Sequence, residues 1–448
     1  MATLAQVAKD QSSGGNTRRR NPLDLIMGSR LGKLLGRIGI ATRSSNSGAL
    51  LDLADALLSL RGRASGPAIA SAFFDLYEAS GIEDRHAFLA QVHDLHPRDP
   101  AAIDKAIARW NDKRDDAAAL ALKAAADSPS RRLLRLLNLA NRGTQRLIAM
   151  RTDLLGVPET SGVKALDKEF EEAFAAWFNA GFLELRPITW SSPAALLERI
   201  IRYEAVHSID GWDDLRRRVE PSDRRCYGFF HPQMEDDPLI FVEVALTREL
   251  PGAISEIIAE KRKEIDQRDA TTAIFYSISN CQEGLRGIPF GNYLIKRVVG
   301  LLQAELPHLK TFATLSPVPG FAKWLAREQG KGAKLPGAKA LRELAAYYLT
   351  CAKGRGGQPL DPVARFHLGN GARLEAVHAN ADMSVNGQSQ AHGVMVNYVY
   401  DLDEIEANHF ALNELGTVAA SKAVSSLADA ARERREKREA EKKAAEAA

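Results

Sequence analysis

Hydrophobic residues recur at helical spacing through most of the first half of the chain. From about residue 23 to 180, apolar side chains return every three or four positions, as they do along one face of an α-helix. Two such faces are formed by Leu50, Leu53, Ala54, Leu57 and Leu58, and by Leu133, Leu136, Leu137 and Ala140. The pattern predicts an almost wholly helical first half.

Residues that typically begin and end helices support this interpretation. Ser128 and Pro129 suit the N-cap and first position of a helix, and Gly181 suits the end of one. Before Gly181 runs an aromatic stripe of Leu166, Phe170, Phe174, Trp177 and Phe178. We interpret it as core or subunit interface rather than as a cofactor-binding surface. Nothing before residue 180 combines side chains of obvious chemical use.

The pattern changes after Arg186 and Pro187. Short runs rich in β-branched and aromatic residues now alternate with helical segments. The predicted strands are 239–247, 271–279 and 310–315, and the predicted helices are 192–202, 250–261 and 339–353. This alternation predicts an α/β or α+β second half with a mixed sheet.

Residues 271–300 are the most informative stretch. A predicted strand leads into a segment with Gly284, Gly287 and Gly291, and a helical pattern with Leu294 and Val298 follows. A glycine loop before a helix offers free backbone N–H groups at the positive end of the helix dipole, which suits a phosphate. The alternative is an ordinary turn between a strand and a helix.

Ser316 and His367 are the candidates for chemistry. Ser316 follows a predicted strand, and Pro317 biases it toward an extended conformation that would aim its hydroxyl out of the sheet edge. The alternative is a turn serine bonded to a local carbonyl. His367 is either a satisfied core histidine or a proton donor with a pKa near neutrality. Tyr398 and Tyr400 are expected on opposite faces of a strand, one of them in the core.

Composition excludes several classes of protein. The 448 residues carry a net charge of +3, which does not suggest a nucleic-acid binder. No apolar run approaches the length of a transmembrane helix. Three scattered cysteines argue against a disulfide framework or zinc site and favour the cytoplasm. We find no metal-binding motif among the histidines and no P-loop or nucleophile-elbow signature.

Four segments resemble the malonyl-CoA decarboxylase family. They are 275–299, with FYSIS and IKRVV; 315–325, LSPVPGFAKWL; 361–374, DPVARFHLGNGARL; and 380–400, NADMSVNGQSQAHGVMVNYVY. The run LIFVEVALT at 239–247 adds support. Together they cover most of the chain from about 190 to 410, in the family's order.

The resemblance implies an α+β fold. An all-helical N-terminal domain for oligomerisation would be followed by an acetyltransferase-like catalytic domain with a mixed sheet. We expect a disordered tail at 1–22, the helical domain at 23–185, the catalytic domain at 186–425 and a charged tail at 426–448. The charged tail is expected to be a solvated helix or frayed.

The resemblance also implies site residues. It assigns catalysis to Ser316 and His367, and supporting positions to Ser277 and Tyr400. The pyrophosphate of CoA would lie on the loop Arg286, Gly287, Ile288, Pro289, Phe290, Gly291 and Asn292. In the superfamily pattern a glycine stands where this chain has Pro289, so one backbone N–H is missing there. The family's acidic residue at that position is missing as well.

The implied reaction converts malonyl-CoA to acetyl-CoA and CO2 through a thioester enolate that a His/Ser pair protonates. No cofactor or metal is expected, and neither is a nucleic-acid or membrane partner. A homo-oligomer, by resemblance a tetramer built from dimers, is expected. Two alternatives are a CoA-dependent acyltransferase on the same fold and a non-catalytic acyl-CoA-binding protein.

Overall fold

The computed structural model describes residues 45–59, 66–95, 97–288, 294–330 and 333–447. The predicted tail at 1–22 lies outside these ranges. Two compact units are distinguished. The first contains the described residues up to Ala176 together with Gly284–Arg286, and the second contains the remainder.

The first unit is helical, as the hydrophobic spacing predicts. Its helices are α1 (Asn46–Ser59), α2 (Gly66–Ala79), α3 (Ile82–Leu95), α4 (Pro100–Lys113), α5 (Asp116–Ala126), α6 (Pro129–Leu137), α7 (Gly143–Leu154) and α8 (Ser161–Trp177). Phe73, Phe74 and Phe88 form an edge-to-face aromatic cluster in its core. In the predicted aromatic stripe, Phe170 and Phe174 are fully buried, which confirms the core interpretation.

The second unit is organised around a mixed sheet. Its strands are β1 (Glu184–Pro187), β2 (Arg224–Phe230), β3 (Ile240–Thr247), β4 (Thr272–Asn280), β5 (Thr311–Thr314), β6 (Ser316–Pro317), β7 (Arg373–His378) and β8 (Met395–Val399). They lie in the order β1-β2-β3-β4-β5-β8-β6, with β7 also paired to β8. β4 and β5 are parallel, and the other neighbours are antiparallel.

The sheet opens between β4 and β5. The two strands pair over four residues each, and their last hydrogen bond runs from the Leu315 N–H to the Phe275 carbonyl. Beyond that point β4 continues beside β3 to Asn280, whereas Ser316 turns away to pair with β8. The strands therefore diverge, with Ser277 on one side of the gap and Ser316 on the other.

Helices cover the sheet. They are α9 (Ala194–Tyr203), α10 (Trp212–Val219), α11 (Ser255–Ile258), α12 (Leu294–Glu305), α13 (Phe321–Gln329), α14 (Ala338–Thr350), α15 (Pro362–Gly369), α16 (Val385–Ala391), α17 (Ile405–Leu415) and α18 (Lys422–Ala447). The helix predicted at 250–261 shrinks to the single turn of α11. None of the helices in the described ranges has the length and apolar character needed to cross a bilayer.

The charged C-terminal segment differs from expectation. The composition predicts a solvated or frayed tail, but α18 packs along α14 and buries Val424, Ala428 and Ala431. Arg434 forms an ion pair with the buried Glu343 of α14. Small apolar residues every three or four positions anchor this face, and the surrounding charges obscure that spacing in the sequence. The helical first unit and the mixed sheet of the second unit confirm the predicted α+β fold class.

Candidate active site

Ser316 lies at the divergence of β4 and β5 and is almost fully buried. Its Oγ lies 2.8 Å from Thr314 Oγ1 and 3.1 Å from His367 Nε2. The hydroxyl therefore neither points freely out of the sheet edge nor bonds a local carbonyl, contrary to both sequence interpretations. Pairing of Ser316 with Val396 on β8 fixes the backbone from which the side chain projects.

His367 is presented by the last turn of α15. Asp361 is the N-cap of this helix and accepts hydrogen bonds from the N–H groups of Val363 (2.9 Å) and Ala364 (3.1 Å). Pro362 occupies the first turn, where its missing N–H costs nothing. The Asp-Pro pair thus starts the helix at the point that carries His367 to Ser316.

A buried relay of three side chains results. His367 Nδ1 lies 2.8 Å from the Tyr400 hydroxyl, while Nε2 faces Ser316. Ser316, His367 and Tyr400 are 5%, 3% and 3% exposed, so bulk water does not compete for these contacts. The structure therefore brings together three of the residues that the sequence singled out.

The direction of each hydrogen bond in the relay follows from the bond between Ser316 and Thr314. The Ser316 hydroxyl donates its one hydrogen to Thr314 Oγ1, so it accepts from His367 Nε2–H. A neutral imidazole with its hydrogen on Nε2 accepts at Nδ1, so Tyr400 is the donor there. The hydrogens are thus ordered from Tyr400 through His367 toward Ser316.

His367 is uncharged at neutral pH. Burial lowers the pKa of this imidazole to about 3, because the charged form would lose its hydration without a carboxylate in compensation. The expectation of a pKa near neutrality is therefore wrong for the free protein. In this neutral form His367 donates one hydrogen bond and accepts another, and it does not hold a proton in reserve.

Tyr398 and Tyr400 lie on the same side of the sheet. The Tyr398 ring stacks on His367 with centroids 4.7 Å apart, and the Tyr400 hydroxyl bonds the same imidazole. The prediction of opposite faces was wrong, because residues two apart in an extended chain share a face. The Tyr398 hydroxyl is buried and has no hydrogen-bond partner among the described residues.

Asp361 also joins the two halves of the site. Its second oxygen accepts from the N–H of Gly320 (3.1 Å) and from the Tyr348 hydroxyl (3.4 Å). A side chain at Gly320 would clash with Tyr348, which explains a glycine at this position. One carboxylate thus fixes both the helix that carries His367 and the turn that follows Ser316.

Replacing Asp361 with alanine is expected to lower the free energy of unfolding by about 2–4 kcal/mol. Loss of a helix cap costs about 0.5–2 kcal/mol, and buried donors left without an acceptor cost about 1–3 kcal/mol more. Ser384 caps the exposed start of α16 with a single bond to the Gly387 N–H, so Ser384→Ala is the matched control and should cost about 1 kcal/mol. Urea denaturation of both variants measures the difference, and equal losses would contradict the role given to Asp361.

Ser277 belongs to a separate cluster around Glu204. Its hydroxyl lies 2.9 and 2.7 Å from the two Glu204 carboxylate oxygens, and Ser279 Oγ lies 3.1 Å from one of them. Glu204 also accepts from the N–H groups of Val206 (2.9 Å) and His207 (2.7 Å). This carboxylate therefore ties β4 to the segment after α9, a function that the sequence did not reveal.

A small cavity lies beside the divergence of the strands. Pro317 and Pro319 line it on one side and Ala205 and Val206, held by Glu204, on another. Asp382 also lines it, and its volume is about 180 Å³. The cavity has the dimensions of a small acyl group rather than of a whole nucleotide.

The predicted CoA loop is described only at its start. Gly287 has φ of +85°, a conformation that glycine adopts without strain. Ile288 is buried, and Arg286 immediately precedes the turn. The remaining predicted loop residues, Pro289, Phe290, Gly291 and Asn292, lie outside the described residues. The helix predicted after the loop is α12.

Chemically, the site offers a hydroxyl, a neutral imidazole and a phenol in series. Such a series can deliver a proton to a basic atom beside Ser316 and donate hydrogen bonds to developing negative charge. Within the described ranges, no group of three or more His, Cys, Asp or Glu side chains is placed to hold a metal ion. Thr314 was missed by the sequence reasoning, although it lies two residues before Ser316 and therefore on the same strand face.

Comparison with known families covers most of the chain. Residues 97–178 match the malonyl-CoA decarboxylase N-terminal domain, and residues 181–339 and 333–439 match the C-terminal domain. The mitochondrial malonyl-CoA decarboxylase of Anser anser anser is 38% identical over 326 residues, which are 61% of this chain and 64% of the goose protein. The rat enzyme is 36% identical over 336 residues, 64% of this chain and 68% of the rat protein.

A solved structure extends the likeness to the fold. The crystal structure of malonyl-CoA decarboxylase from Agrobacterium vitis superposes with a TM-score of 0.80 at 47% identity, covering 84% of this chain and 99% of that one. The chain spans about two thirds of the length of the animal relatives and nearly all of this bacterial one. With both family domains matched in order, the chain belongs to the malonyl-CoA decarboxylase family, a family of carboxy-lyases.

Proposed function

We propose that this protein converts malonyl-CoA to acetyl-CoA and CO2. The observation that carries the proposal is the buried Tyr400–His367–Ser316 relay, which ends at the gap between β4 and β5. Family membership supplies the substrate class, and the relay supplies the chemistry that a decarboxylase of this substrate needs.

The reaction makes limited demands on the protein. When the C–C bond to the carboxylate breaks, its electron pair moves into the thioester carbonyl and leaves an enolate. The carbonyl is itself the electron sink, so the protein has to stabilise the oxyanion and protonate the α-carbon. Poor solvation of the departing carboxylate favours its loss as neutral CO2.

In the proposed reaction Ser316 protonates the carbon. It is the terminal member of the relay. The next residue in the sequence, Pro317, lines the small cavity together with Pro319. Its hydroxyl hydrogen would swing from Thr314 Oγ1 to the α-carbon, while His367 Nε2–H moves to Ser316 Oγ. Ser277, held by Glu204 across the gap, would fix the opposite side of the acyl group.

CoA would be held by the loop from Arg286 to Asn292. Glycine at 287 and 291 allows the backbone to approach a pyrophosphate, and Arg286 adds charge-assisted hydrogen bonds. Pro289 supplies no N–H, so the loop has one donor fewer than the superfamily pattern. The adenine nucleotide would thus stay outside the small cavity while the acyl end reaches Ser316.

One assay tests the proposal. Purified protein is incubated with malonyl-CoA and a chelator, without any acyl acceptor, and acetyl-CoA and CO2 are measured. Equal amounts of both products are expected. Acyl transfer only after an amine is added would indicate an acyltransferase instead, and saturable CoA binding without any product would indicate a binding protein.

We further propose that the first unit mediates homo-oligomer formation, by family likeness as a tetramer of two dimers. Leu120 and Leu139 on this unit are 66% and 53% exposed, which leaves aliphatic surface for a second copy. A monomer at micromolar concentration in sedimentation velocity would refute this. A cytoplasmic location stays a prediction from cysteine usage, and the goose and rat relatives are named as mitochondrial proteins.

A further inference from the structure

The proposed reaction takes up one proton in every turnover. Malonyl-CoA is converted to acetyl-CoA and CO2. The new C–H bond of acetyl-CoA needs a proton, and neither the ionised carboxylate nor the thioester of the substrate supplies it. Because the His367 pKa is far below neutrality, the site stores no exchangeable positive charge. A proton therefore has to enter the buried relay from water each time.

Tyr400, at the far end of the relay, also lines a second cavity. This cavity has a volume of about 540 Å³, many times that of one water molecule. Five of its twelve lining residues are charged: Lys310, Arg373, Glu375, Asp401 and Asp403. Lys310 and Asp403 are exposed, so the cavity is in contact with solvent.

The two cavities lie near opposite ends of one hydrogen-bonded series: Pro317, the residue after Ser316, lines the smaller cavity, and Tyr400 lines the larger one. On the Ser316 side the lining is mostly apolar, with Pro317, Pro319 and Val206. On the Tyr400 side five charged residues contribute to the lining. An acyl group suits the first, and water suits the second.

We propose that Tyr400 is the entry point of a proton-uptake path, which carries a proton from the charged cavity through His367 and Ser316 to the substrate carbon. The inference rests on the proposed decarboxylation. It separates the route of the proton from the route of the acyl-CoA, so that protonation does not require water to enter the acyl cavity.

The transfer balances as follows. The enolate carbon takes the Ser316 hydroxyl hydrogen, Ser316 Oγ takes the hydrogen of His367 Nε2, and Nδ1 takes the hydrogen of Tyr400. Tyr400 takes a proton from cavity water, and the hydroxide left behind is neutralised by bulk buffer. Burial raises the pKa of the Tyr400 phenol, so a lasting phenolate is unfavourable and water has to reprotonate it promptly.

Tyr400→Phe tests the path by separating bond cleavage from protonation. Without the phenol, the enolate persists and recaptures CO2, its α-carbon re-forming the bond to the carboxyl carbon. In buffer containing ¹³C-bicarbonate and carbonic anhydrase, recovered malonyl-CoA should gain label, and the ratio of label exchanged to acetyl-CoA formed should rise about 10-fold or more above wild type. The turnover number should fall about 10-fold or more, with KM unchanged.

Tyr398→Phe is the matched control. It makes the same change on the same strand face, but the hydroxyl that it removes has no partner in the described structure, and the ring stacking on His367 is kept. Its exchange ratio should equal that of wild type. If Tyr400→Phe loses turnover without added exchange, or loses nothing, Tyr400 is not the proton entry.

A second variant tests the cavity itself. Leu402 lines it and is 45% exposed, so Leu402→Trp narrows the space available to water without touching the relay. It should raise the exchange ratio in the same direction as Tyr400→Phe, whereas Leu415→Trp, on an exposed site outside the cavity, should not. An unchanged ratio in Leu402→Trp overturns the route through this cavity. If wild type forms no acetyl-CoA at all, the proposed function fails first, and the path fails with it.

Discussion

His367→Asn is expected to lower the turnover of malonyl-CoA by at least about 100-fold while CoA binding is retained. An asparagine amide reaches about as far as imidazole Nδ1, so it can still meet Tyr400 but not Ser316. The relay is then broken at its middle, 3.1 Å from the Ser316 hydroxyl. The proposed CoA loop lies elsewhere in the chain and should be unaffected.

Steady-state kinetics and calorimetric titration with CoA measure the two quantities separately. His308→Asn is the matched control, because His308 is exposed and its ring forms a hydrogen bond with the Gln267 carbonyl, away from the relay. It should leave turnover and binding unchanged. Near-normal turnover of His367→Asn would remove His367 from the mechanism.

Ser316→Ala should cost a similar factor, about 100-fold or more, because the last proton donor is lost. The more telling variant combines it with His367→Asn. Residues that act in series are not additive, so the double variant should be only slightly slower than the slower single variant. Independent contributions would instead multiply, and turnover would fall by about 10⁴-fold or more.

Ser425→Ala provides the matched control for the serine change. Ser425 lies exposed on α18, and its hydroxyl bonds the Ser421 carbonyl. Full activity is expected there. A Ser316→Ala variant with the same turnover as Ser425→Ala would show that another group protonates the carbon.

Local sequence patterns predicted the second half well where periodicity is strong. The strands β3, β4 and β5 were predicted to within one residue at each end, and α12 lies where the helical pattern with Leu294 and Val298 predicted a helix. Strand alternation and helical spacing are properties of the segment itself. The helix predicted at 250–261 was mostly wrong. Leu250 and Ile257 are apolar because they pack in the core beside the sheet. Their spacing reflects this packing and did not indicate a long helix.

The site was predictable as a set of residues but not as a geometry. Ser316, His367 and Tyr400 were named from resemblance, yet the direction of the relay depends on Thr314, and the charge state of His367 depends on how completely the fold buries it. Desolvation is a property of the whole tertiary structure, so no local sequence pattern predicts the lowered pKa of His367.

Long-range contacts were the hardest to foresee. Glu204 contacts Ser277, which lies 73 positions later in the sequence, and nothing near Glu204 marks it as a partner. Asp361 was not predicted as a helix cap, and its bond to the Gly320 N–H, 41 positions away, could not be read from the sequence. The predicted domain limits at 22, 185 and 425 remain proposals. They were drawn from changes in sequence composition, whereas the two compact units are defined by contacts between residues.

The docking of α18 has a practical consequence for any shortened version of this protein. Trimming the chain at 425, as its charged composition invites, would strip Ala428 and Ala431 from the surface of α14 and leave Glu343 inside without its arginine. An orphaned interior carboxylate is among the costlier defects a protein can carry. Tyr348 lies about one and a half turns further along the same helix and forms a hydrogen bond with Asp361, the residue that caps the helix of His367. Removing the C-terminal helix would therefore also disturb the residue that positions His367.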